Sequence, residues 1–288
     1  MEDLRQAKEY GKFMESMGWG VEKGMFIKKL GIFPFSFIKY QRVEWPVDFK
    51  KIETVVKKHR AIQVKIELNE RVDKTGKKKL KQIKKEFLKR GYKKDKSPML
   101  PTKTIWLDLK KSEKDLLKNM HSKTRYNIGK YKQKIKIIRG DKIDNKILRE
   151  FYEIYSKNAK KQKFWGLKFK DLINLFKCFG KKSYLLWVEN LGGLILLMHN
   201  KTIYYSHNAA NNKGKSKFVP TILVWEAIQL GKRLKCNKFD FEGIADIRYR
   251  ITKKWEGFSR FKRGFGGNKV KYIGSFIRFN KEVLWQLK

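Results

Sequence analysis

The chain has 288 residues, of which 41% are hydrophobic, so it is long enough to bury the cores of two modest domains or one large one. Its formal net charge is +43 and its pI is near 10.1. This charge favours polyanionic partners, namely nucleic acid, an anionic membrane surface or a phosphorylated substrate. A general compositional bias toward lysine is the alternative explanation, because the lysines are spread from end to end and Ile and Asn are also frequent.

The sequence excludes a membrane-spanning helix and gives no sign of a metal centre. The longest apolar run, residues 191–198, is too short to cross a bilayer, and the acidic start of the chain lacks an apolar core of signal-peptide length. Cys178 and Cys236 are the only cysteines, and no His/Cys spacing suggests a metal site. We therefore expect a cytoplasmic, reduced protein without a metal, and we also consider peripheral contact with the inner membrane face.

The first part of the chain predicts alternating strands and helices. Ile52, Val55 and Val56 have the i, i+3, i+4 spacing of a helix over 49–59. The other predicted elements are two strands within 25–43, a strand over 61–68, a helix from about 80 that stops at Gly91, a strand over 104–109 and a helix capped by Ser112.

A second α/β unit follows without a Pro/Ser-rich linker. Its predicted elements are a strand over 134–138, a helix capped by Asp144, a helix over 169–179, strands over 183–188, 194–198 and 202–207, a helix from Pro220 to about 234 and a strand over 238–241. Two successive units of similar order indicate a duplicated fold. We expect domains at 1–133 and 134–271 that pack along a shared cleft.

One C-terminal stretch carries the candidate chemistry. Residues 239–248, FDFEGIADIR, predict a short apolar strand that ends in carboxylates and a glycine. Residues 258–267, FSRFKRGFGG, alternate aromatic and basic residues before a glycine pair, which lets a ligand approach the backbone closely. Lys262 lies between Phe261 and Arg263, so we expect its charge at the wall of a cleft. The alternative is an amphipathic strand with a solvated basic face.

Motifs along nearly the whole chain resemble those of the Fem family (FemA, FemB, FemX), which are aminoacyl-tRNA-dependent transferases that build peptidoglycan cross-bridges. These motifs are PTKTIWLDL at 101–109, LLKNM at 116–120, SKTRYNI at 122–128, the tyrosine pair at 204–205, WEAI at 225–228, FDFEGI at 239–244 and the Phe-Lys pair at 261–262 with GFGG at 264–267. The resemblance implies two tandem GNAT-like (acetyltransferase-like) domains without a coiled-coil insertion. Residues 272–274 look like the family's segment that leads back to the first domain, so we expect 272–288 to return there.

The resemblance also nominates residues that hold the acceptor. In FemX-type members a lysine shortly after an N-terminal Trp/Gly stretch contacts the diphosphate of the substrate. Residues 17–23, MGWGVEK, are similar to that stretch, which nominates Lys23. The family places an arginine just past the helix after the domain junction, whereas this chain offers only Lys168 nearby.

The catalytic residues that the resemblance implies are Lys262 and Phe261, which match a Phe-Lys pair linked to catalysis in the family. Tyr205 and His207 align with strand aromatics of the second domain and are expected to bind substrate, with His207 replacing a tyrosine. Asp240 and Glu242 are also expected at the substrate.

The implied reaction is direct aminolysis of an activated ester. It needs alignment of the reacting groups and stabilisation of the oxyanion that forms on the carbonyl oxygen. A held lysine ammonium can supply the second requirement, and we expect Lys262 to do so. Asp108 is a candidate base, and Asp240, Glu242 and His207 could also accept or orient the amine proton. The alternatives are structural: a helix or turn cap for Asp108, loop orientation for Asp240 and a buried structural histidine.

The segment 211–217, NNKGKSK, precedes the Pro220 helix and is termed the basic segment. In an acetyltransferase-like fold, amides at this helix N-terminus bind a pyrophosphate. Lys213, Lys215 and Lys217 are therefore expected to bind a phosphate of tRNA or of a nucleotide-linked substrate. The alternative is a flexible basic loop.

We expect an aminoacyltransferase that moves an amino acid from aminoacyl-tRNA to an amine of a UDP-linked or lipid-linked muropeptide precursor, in cell-wall biogenesis. It would be a monomer that needs aminoacyl-tRNA as co-substrate and no cofactor. The alternatives are an acyl-CoA-dependent N-acyltransferase and a non-catalytic basic module that binds RNA or anionic membrane.

Overall fold

The computed structural model describes residues 2–280, which form two compact units. Unit 1 comprises the described residues up to Lys103, Ala245–Lys253 and the described residues from Val270 onward; unit 2 comprises Thr104–Ile244 and Lys254–Lys269. The division differs from the predicted boundary after residue 133. The reason is that the strand beginning at Lys103 pairs with the strand beginning at Lys238, within the sheet of unit 2.

The N-terminal elements of unit 1 follow the predicted alternation. They are α1 (Lys8–Ser16), β1 (Gly20–Glu22), β2 (Met25–Lys29), β3 (Ser36–Val43), α2 (Phe49–Lys58), β4 (Ala61–Leu68), α3 (Lys77–Lys89) and β5 (Lys93–Lys94). The α2 helix shows why: the Asp48 side chain accepts a hydrogen bond from Lys51 N at 2.9 Å, and Ile52, Val55 and Val56 are fully buried. The helix α1 was not predicted.

Unit 2 contains most of the remaining elements. They are β6 (Lys103–Asp108), α4 (Glu113–Lys118), α5 (Ser122–Lys130), β7 (Lys136–Arg139), α6 (Asn145–Gln162), α7 (Phe169–Phe179), β8 (Ser183–Val188), β9 (Gly192–His199), β10 (Thr202–Ala210), α8 (Asn212–Ser216), α9 (Val219–Arg233), β11 (Lys238–Asp240), α10 (Glu256–Arg263) and β12 (Asn268–Lys271). Its seven-stranded sheet has the order β12-β6-β11-β10-β9-β8-β7. The caps at Ser112 and Asp144 are confirmed, since each side chain accepts from a backbone N–H in the first turn of its helix.

The chain finally returns to unit 1 through β13 (Ser275–Phe279), which lies between β4 and β5 and completes a six-stranded sheet of order β1-β2-β3-β4-β13-β5. The expected return of residues 281–288 lies outside the described residues.

The two sheets share a topological pattern. In unit 1 an antiparallel hairpin, β2–β3, is followed by α2 and by β4, which pairs parallel with β3. In unit 2 the hairpin β9–β10 is followed by α9 and by β11, which pairs parallel with β10. Each sheet packs its own apolar core. This repetition agrees with the duplicated α/β fold that the sequence predicted.

Two of the alternatives that the sequence left open are wrong. Residues 258–263 do not form an amphipathic strand but lie in α10, whose buried residues Ser259 and Lys262 are three positions apart, as on one face of a helix. The basic segment is not a loop: it forms the short helix α8, whose N-cap Asn211 accepts a hydrogen bond from Gly214 N at 2.8 Å.

Candidate active site

A cavity of about 780 Å³ opens in unit 2 where two parallel strands separate. β10 pairs with β11 only as far as Tyr204 and Asp240, after which Phe241 N turns away to donate to Ile105 O at 3.1 Å. β10 continues to Ala210, and its residues from Tyr205 onward line the cavity. Clefts at the carboxyl ends of parallel strands are common ligand sites, so the topology itself places a site here.

Lys262 lies in the wall of this cavity, whose lining residues all belong to unit 2, whereas the sequence predicted a cleft shared by two domains. Its side chain is 6% exposed, and its Nζ donates to Phe241 O at 2.6 Å and to Gly243 O at 2.8 Å. Both carbonyls belong to the chain that leaves β11. Two of the three ammonium N–H groups are thus taken by backbone carbonyls, which fixes the head group and leaves one donor for a ligand.

The surroundings of Lys262 have opposing effects on its pKa, and the ammonium form remains the main one at neutral pH. Burial lowers the pKa of Lys262 to about 8, against the opposing effect of the Glu242 and Asp240 carboxylates. The ammonium also lies 4.8 Å from the centroid of the Tyr205 ring and 5.1 Å from that of Phe258. A pKa near 8 leaves the group mostly cationic at neutral pH.

Phe261 also lines the cavity, and its ring packs edge-on against Phe265 at 5.3 Å between centroids. Phe265 follows the end of α10 and is buried in the core of unit 2, so its contact with Phe261 fixes the end of the helix next to Lys262. The helical geometry therefore brings both predicted catalytic residues to the cavity.

Tyr205 and His207 line the same cavity because a bulge interrupts β10. Tyr205 lies opposite Leu196 and His207 lies opposite Ile195, so Ser206 is an extra residue that breaks the alternation of side chains. Asn208 Nδ2 donates to the Tyr205 hydroxyl at 2.6 Å, and burial raises the pKa of that hydroxyl.

His207 is half-buried, and burial lowers its pKa to about 4. Its Nδ1 lies 2.8 Å from the Ser206 hydroxyl, and its ring packs edge-on against Tyr155 at 5.7 Å. The imidazole is therefore neutral at physiological pH. Among Asp108, Asp240, Glu242 and His207, the four candidate bases, His207 is the one that lines this cavity.

The sequence missed a further wall of the cavity, which comes from α6 and from the turn that leads into α10. Tyr155, Asn158 and Gln162 lie on one face of α6, at the i, i+3, i+7 spacing. Trp255, just before α10, and Phe258, in its first turn, also line the cavity. The apolar positions on α6 predicted core packing, and no sequence pattern marked Asn158 and Gln162 as cavity residues.

Asp240 does not line the cavity but holds the turn that positions Lys262. Its Oδ1 accepts from Thr104 Oγ1 at 2.7 Å and from Glu242 N at 2.9 Å, and its Oδ2 accepts from Trp106 Nε1 at 2.7 Å. Thr104 Oγ1 in turn accepts from Gly243 N at 3.2 Å. Because this network fixes the carbonyls that Lys262 binds, the arrangement favours loop orientation over substrate binding.

Glu242 and Asp108 also lie away from the cavity lining. Glu242 occupies the tight turn after β11, with a positive φ of 58°. Asp108 is exposed at the end of β6, where its Oδ1 accepts from Lys110 N at 3.0 Å, and it borders a separate cavity of about 230 Å³. The contact of Asp108 is that of a turn cap.

The predicted phosphate-binding lysines are dispersed. Lys213, Lys215 and Lys217 are all exposed, and Lys215 reaches the lining of the main cavity. Lys168 is exposed at the start of α7 and lines an adjoining cavity of about 480 Å³. Lys23 is exposed in unit 1, at a positive φ in the β1–β2 turn.

Gly214 in the basic segment has a packing role. A Cβ atom there would lie 2.4 Å from Leu191 O, so only glycine fits. Three backbone N–H groups in or just after this segment donate hydrogen bonds to residues of the segment itself. Gly214 N donates to Asn211 Oδ1, Lys215 N donates to Asn211 O, and Phe218 N donates to Lys215 O. These amides are therefore not free to bind a pyrophosphate.

Within residues 2–280, no His, Cys, Asp and Glu side chains form a group that could hold a metal ion. No helix in that described part of the chain is both long enough and apolar enough to cross a membrane.

The FemAB family model matches residues 188–288, which include β10, α10 and thus the Phe261–Lys262 pair. The resemblance to the Fem family is confirmed. The match covers the C-terminal third of the chain and contains much of the cavity wall. No curated protein matches the sequence.

Solved structures share the fold over most of the chain. FemX has a TM-score of 0.78 at 15% identity, covering 99% of this chain and 94% of that one. L-PGS from Bacillus licheniformis has a TM-score of 0.56 at 11% identity, covering 89% and 80%. A tandem GNAT protein from the clavulanic acid biosynthesis pathway has a TM-score of 0.53 at 7% identity, covering 90% and 81%. The fold is therefore that of tandem GNAT-like domains, and together with the family match it supports a transferase.

Proposed function

We propose that this Fem-family protein transfers an amino acid from aminoacyl-tRNA to an amine of a peptidoglycan precursor. The observation that carries the proposal is the Lys262 ammonium, which is buried, fixed by two carbonyls and placed at the wall of a cavity within the region that matches the family. The reaction class of the proposal is the one that the resemblance to the Fem family implies.

In the proposed reaction, the acceptor amine attacks the carbonyl carbon of the aminoacyl ester, and the carbonyl oxygen becomes an oxyanion. The remaining N–H of Lys262 donates to that oxygen as its charge develops. The ester C–O bond then breaks, the tRNA 3′ oxygen leaves and takes up a proton, and the amine loses one. A preorganised cation of this kind contributes about 3–4 kcal/mol to transition-state stabilisation.

Proton transfer needs a group near the acceptor amine. Of the four candidate bases that the sequence offered, His207 is the one that lines the cavity. His207 is neutral at physiological pH and can accept a hydrogen bond from the attacking amine, which orients its lone pair. With a pKa of about 4, His207 is a weak base, so we assign it the role of orienting the amine. The amine proton is then taken up by the leaving 3′ oxygen of the tRNA.

The basic segment argues against acyl-CoA as the donor. An acyl-CoA pyrophosphate would need free backbone N–H groups before α9. Three of these N–H groups already donate hydrogen bonds to residues of the basic segment. Exposed Lys213, Lys215 and Lys217 suit instead the more diffuse phosphates of tRNA.

The test is incubation of the protein with a mixed pool of charged tRNAs and with either the UDP-linked or the lipid-linked muropeptide precursor. Mass spectrometry should detect a precursor heavier by one or more aminoacyl residues. The matched reaction contains acetyl-CoA instead of charged tRNA and should give no product. Acylation by acetyl-CoA alone, or no product with any precursor, would contradict the proposal.

A further inference from the structure

The hairpin between β2 and β3 ends in an exposed apolar tip, formed by residues 30–35, LGIFPF. Ile32 is 98% exposed and Phe33 is 58% exposed. The turn is ordered by backbone hydrogen bonds from Phe33 N to Leu30 O at 3.1 Å and from Leu30 N to Phe35 O at 3.0 Å. A Cβ atom on Gly31 would meet nothing within 4 Å, so the tip projects from unit 1.

This exposure is not required by the packing of the hairpin. The hairpin buries four apolar side chains in unit 1: Met25, Phe26 and Ile27 on β2, and Phe35 just before β3. Ile32 and Phe33 are not part of that core. Adjacent large apolar side chains that point to water are unfavourable for solubility and commonly mark an interaction surface.

The tip lies in a strongly cationic neighbourhood. No Asp or Glu occurs from residue 24 to residue 43. The turn after α2 lies beside the hairpin, because Ser36 Oγ donates to His59 O at 2.8 Å and the Arg60 guanidinium lies 5.4 Å from the Phe35 ring. Lys29, Lys57 and Arg60 are all exposed around this junction.

We propose that the β2–β3 tip inserts Ile32 and Phe33 into an anionic lipid bilayer, with the surrounding cations against the lipid headgroups. Apolar side chains at a projecting tip gain by leaving water for the acyl boundary, and each nearby cation gains from the negative surface potential. RNA would use the cations and could stack a base on Phe33, but the aliphatic Ile32 offers no surface for stacking and would stay in water, whereas a bilayer removes both side chains from water. The proposal stands independently of the transfer reaction, because its readout is binding.

The experiment is co-sedimentation of the full chain with vesicles of phosphatidylcholine mixed with phosphatidylglycerol. The tip variant Ile32→Ser/Phe33→Ser should bind at least about tenfold more weakly than wild type, since two apolar side chains no longer leave water. The control Leu88→Ser/Phe279→Ser removes a similar pair that is 63% and 54% exposed elsewhere on unit 1, and it should bind like wild type.

A charge arm completes the design. Lys29→Gln/Lys57→Gln should weaken binding by roughly 25-fold at low salt, about fivefold for each cation, and pure phosphatidylcholine vesicles should bind wild type weakly. The proposal is overturned if the wild-type protein does not bind the anionic vesicles, or if the tip variant binds them as tightly as wild type does. It is also overturned if the tip variant instead loses tRNA retention, or if it dissociates a dimer that wild type forms without vesicles.

Discussion

The buried carboxylate of Asp240 should act through structure and not through the substrate, and the variant Asp240→Asn tests this. The variant keeps one oxygen that can accept from Thr104 Oγ1 and Glu242 N, but it places an amide N–H₂ against the Trp106 indole N–H. One charge-assisted hydrogen bond is lost, which costs about 1.5–3 kcal/mol, and the opposed donors add about 1–3 kcal/mol. We therefore expect the free energy of unfolding to fall by about 2.5–6 kcal/mol.

The assay is urea denaturation, with Asp108→Asn as the matched control. Asp108 is an exposed carboxylate on the neighbouring strand β6, and its side chain accepts a turn hydrogen bond from Lys110 N, so its variant should lose less than about 1 kcal/mol. Trp106→Phe provides a second control: in that background Asp240→Asn should cost less, because the opposed indole donor is gone.

Asp240→Asn should also change the pH dependence of transfer. The Asp240 carboxylate raises the pKa of Lys262, so its removal should lower that pKa below about 8 and shift the loss of activity to lower pH. If Asp240→Asn is as stable as Asp108→Asn, the structural role is refuted. If transfer is lost while stability and the pH profile stay unchanged, Asp240 contacts the substrate directly.

Three further outcomes follow from the structure. Gly267→Ala should lower the free energy of unfolding by about 2–4 kcal/mol in urea denaturation, because φ is +88° and the new Cβ would lie 2.7 Å from Trp106 O; no loss would contradict this packing. Since burial lowers the pKa of His207 to about 4, the folded protein should lose stability as pH falls from about 6.5 toward 4, and His207→Phe should lose roughly 3 kcal/mol less over that range; equal losses would contradict the assignment. Replacing the three lysines of the basic segment with Gln should lower the slope of log K against log salt for tRNA binding by about 2, and an unchanged slope would show that these charges are only compositional.

The sequence predicted most of the secondary structure because periodicity and caps are local signals. The α2 helix shows this, since its apolar spacing at Ile52, Val55 and Val56 is visible in the sequence. The α10 helix was missed because Phe258 to Arg263 alternate aromatic and basic residues, which imitates a strand; the burial of Lys262 three residues after Ser259 depends on tertiary contacts.

The site was only partly predictable for a similar reason. Lys262, Phe261, Tyr205 and His207 do meet at one cavity, whereas Asp240 turned inward. A carboxylate at the end of a strand looks the same in sequence whether it faces a ligand or a neighbouring Thr104. The wall contributed by α6 depends on how that helix packs against β10, which no local pattern encodes.

The most direct test of the account is the single-turnover rate of aminoacyl transfer by Lys262→Gln and Lys262→Met. Gln retains N–H donors for Phe241 O and Gly243 O without the charge, whereas Met leaves both carbonyls unpaired. We predict that both variants lose transfer by roughly 10²- to 10³-fold while tRNA binding stays nearly unchanged, and that the Met variant is the less stable of the two. Transfer by Lys262→Gln at the wild-type rate would contradict the account, since Lys262 would then serve only to hold the turn after β11.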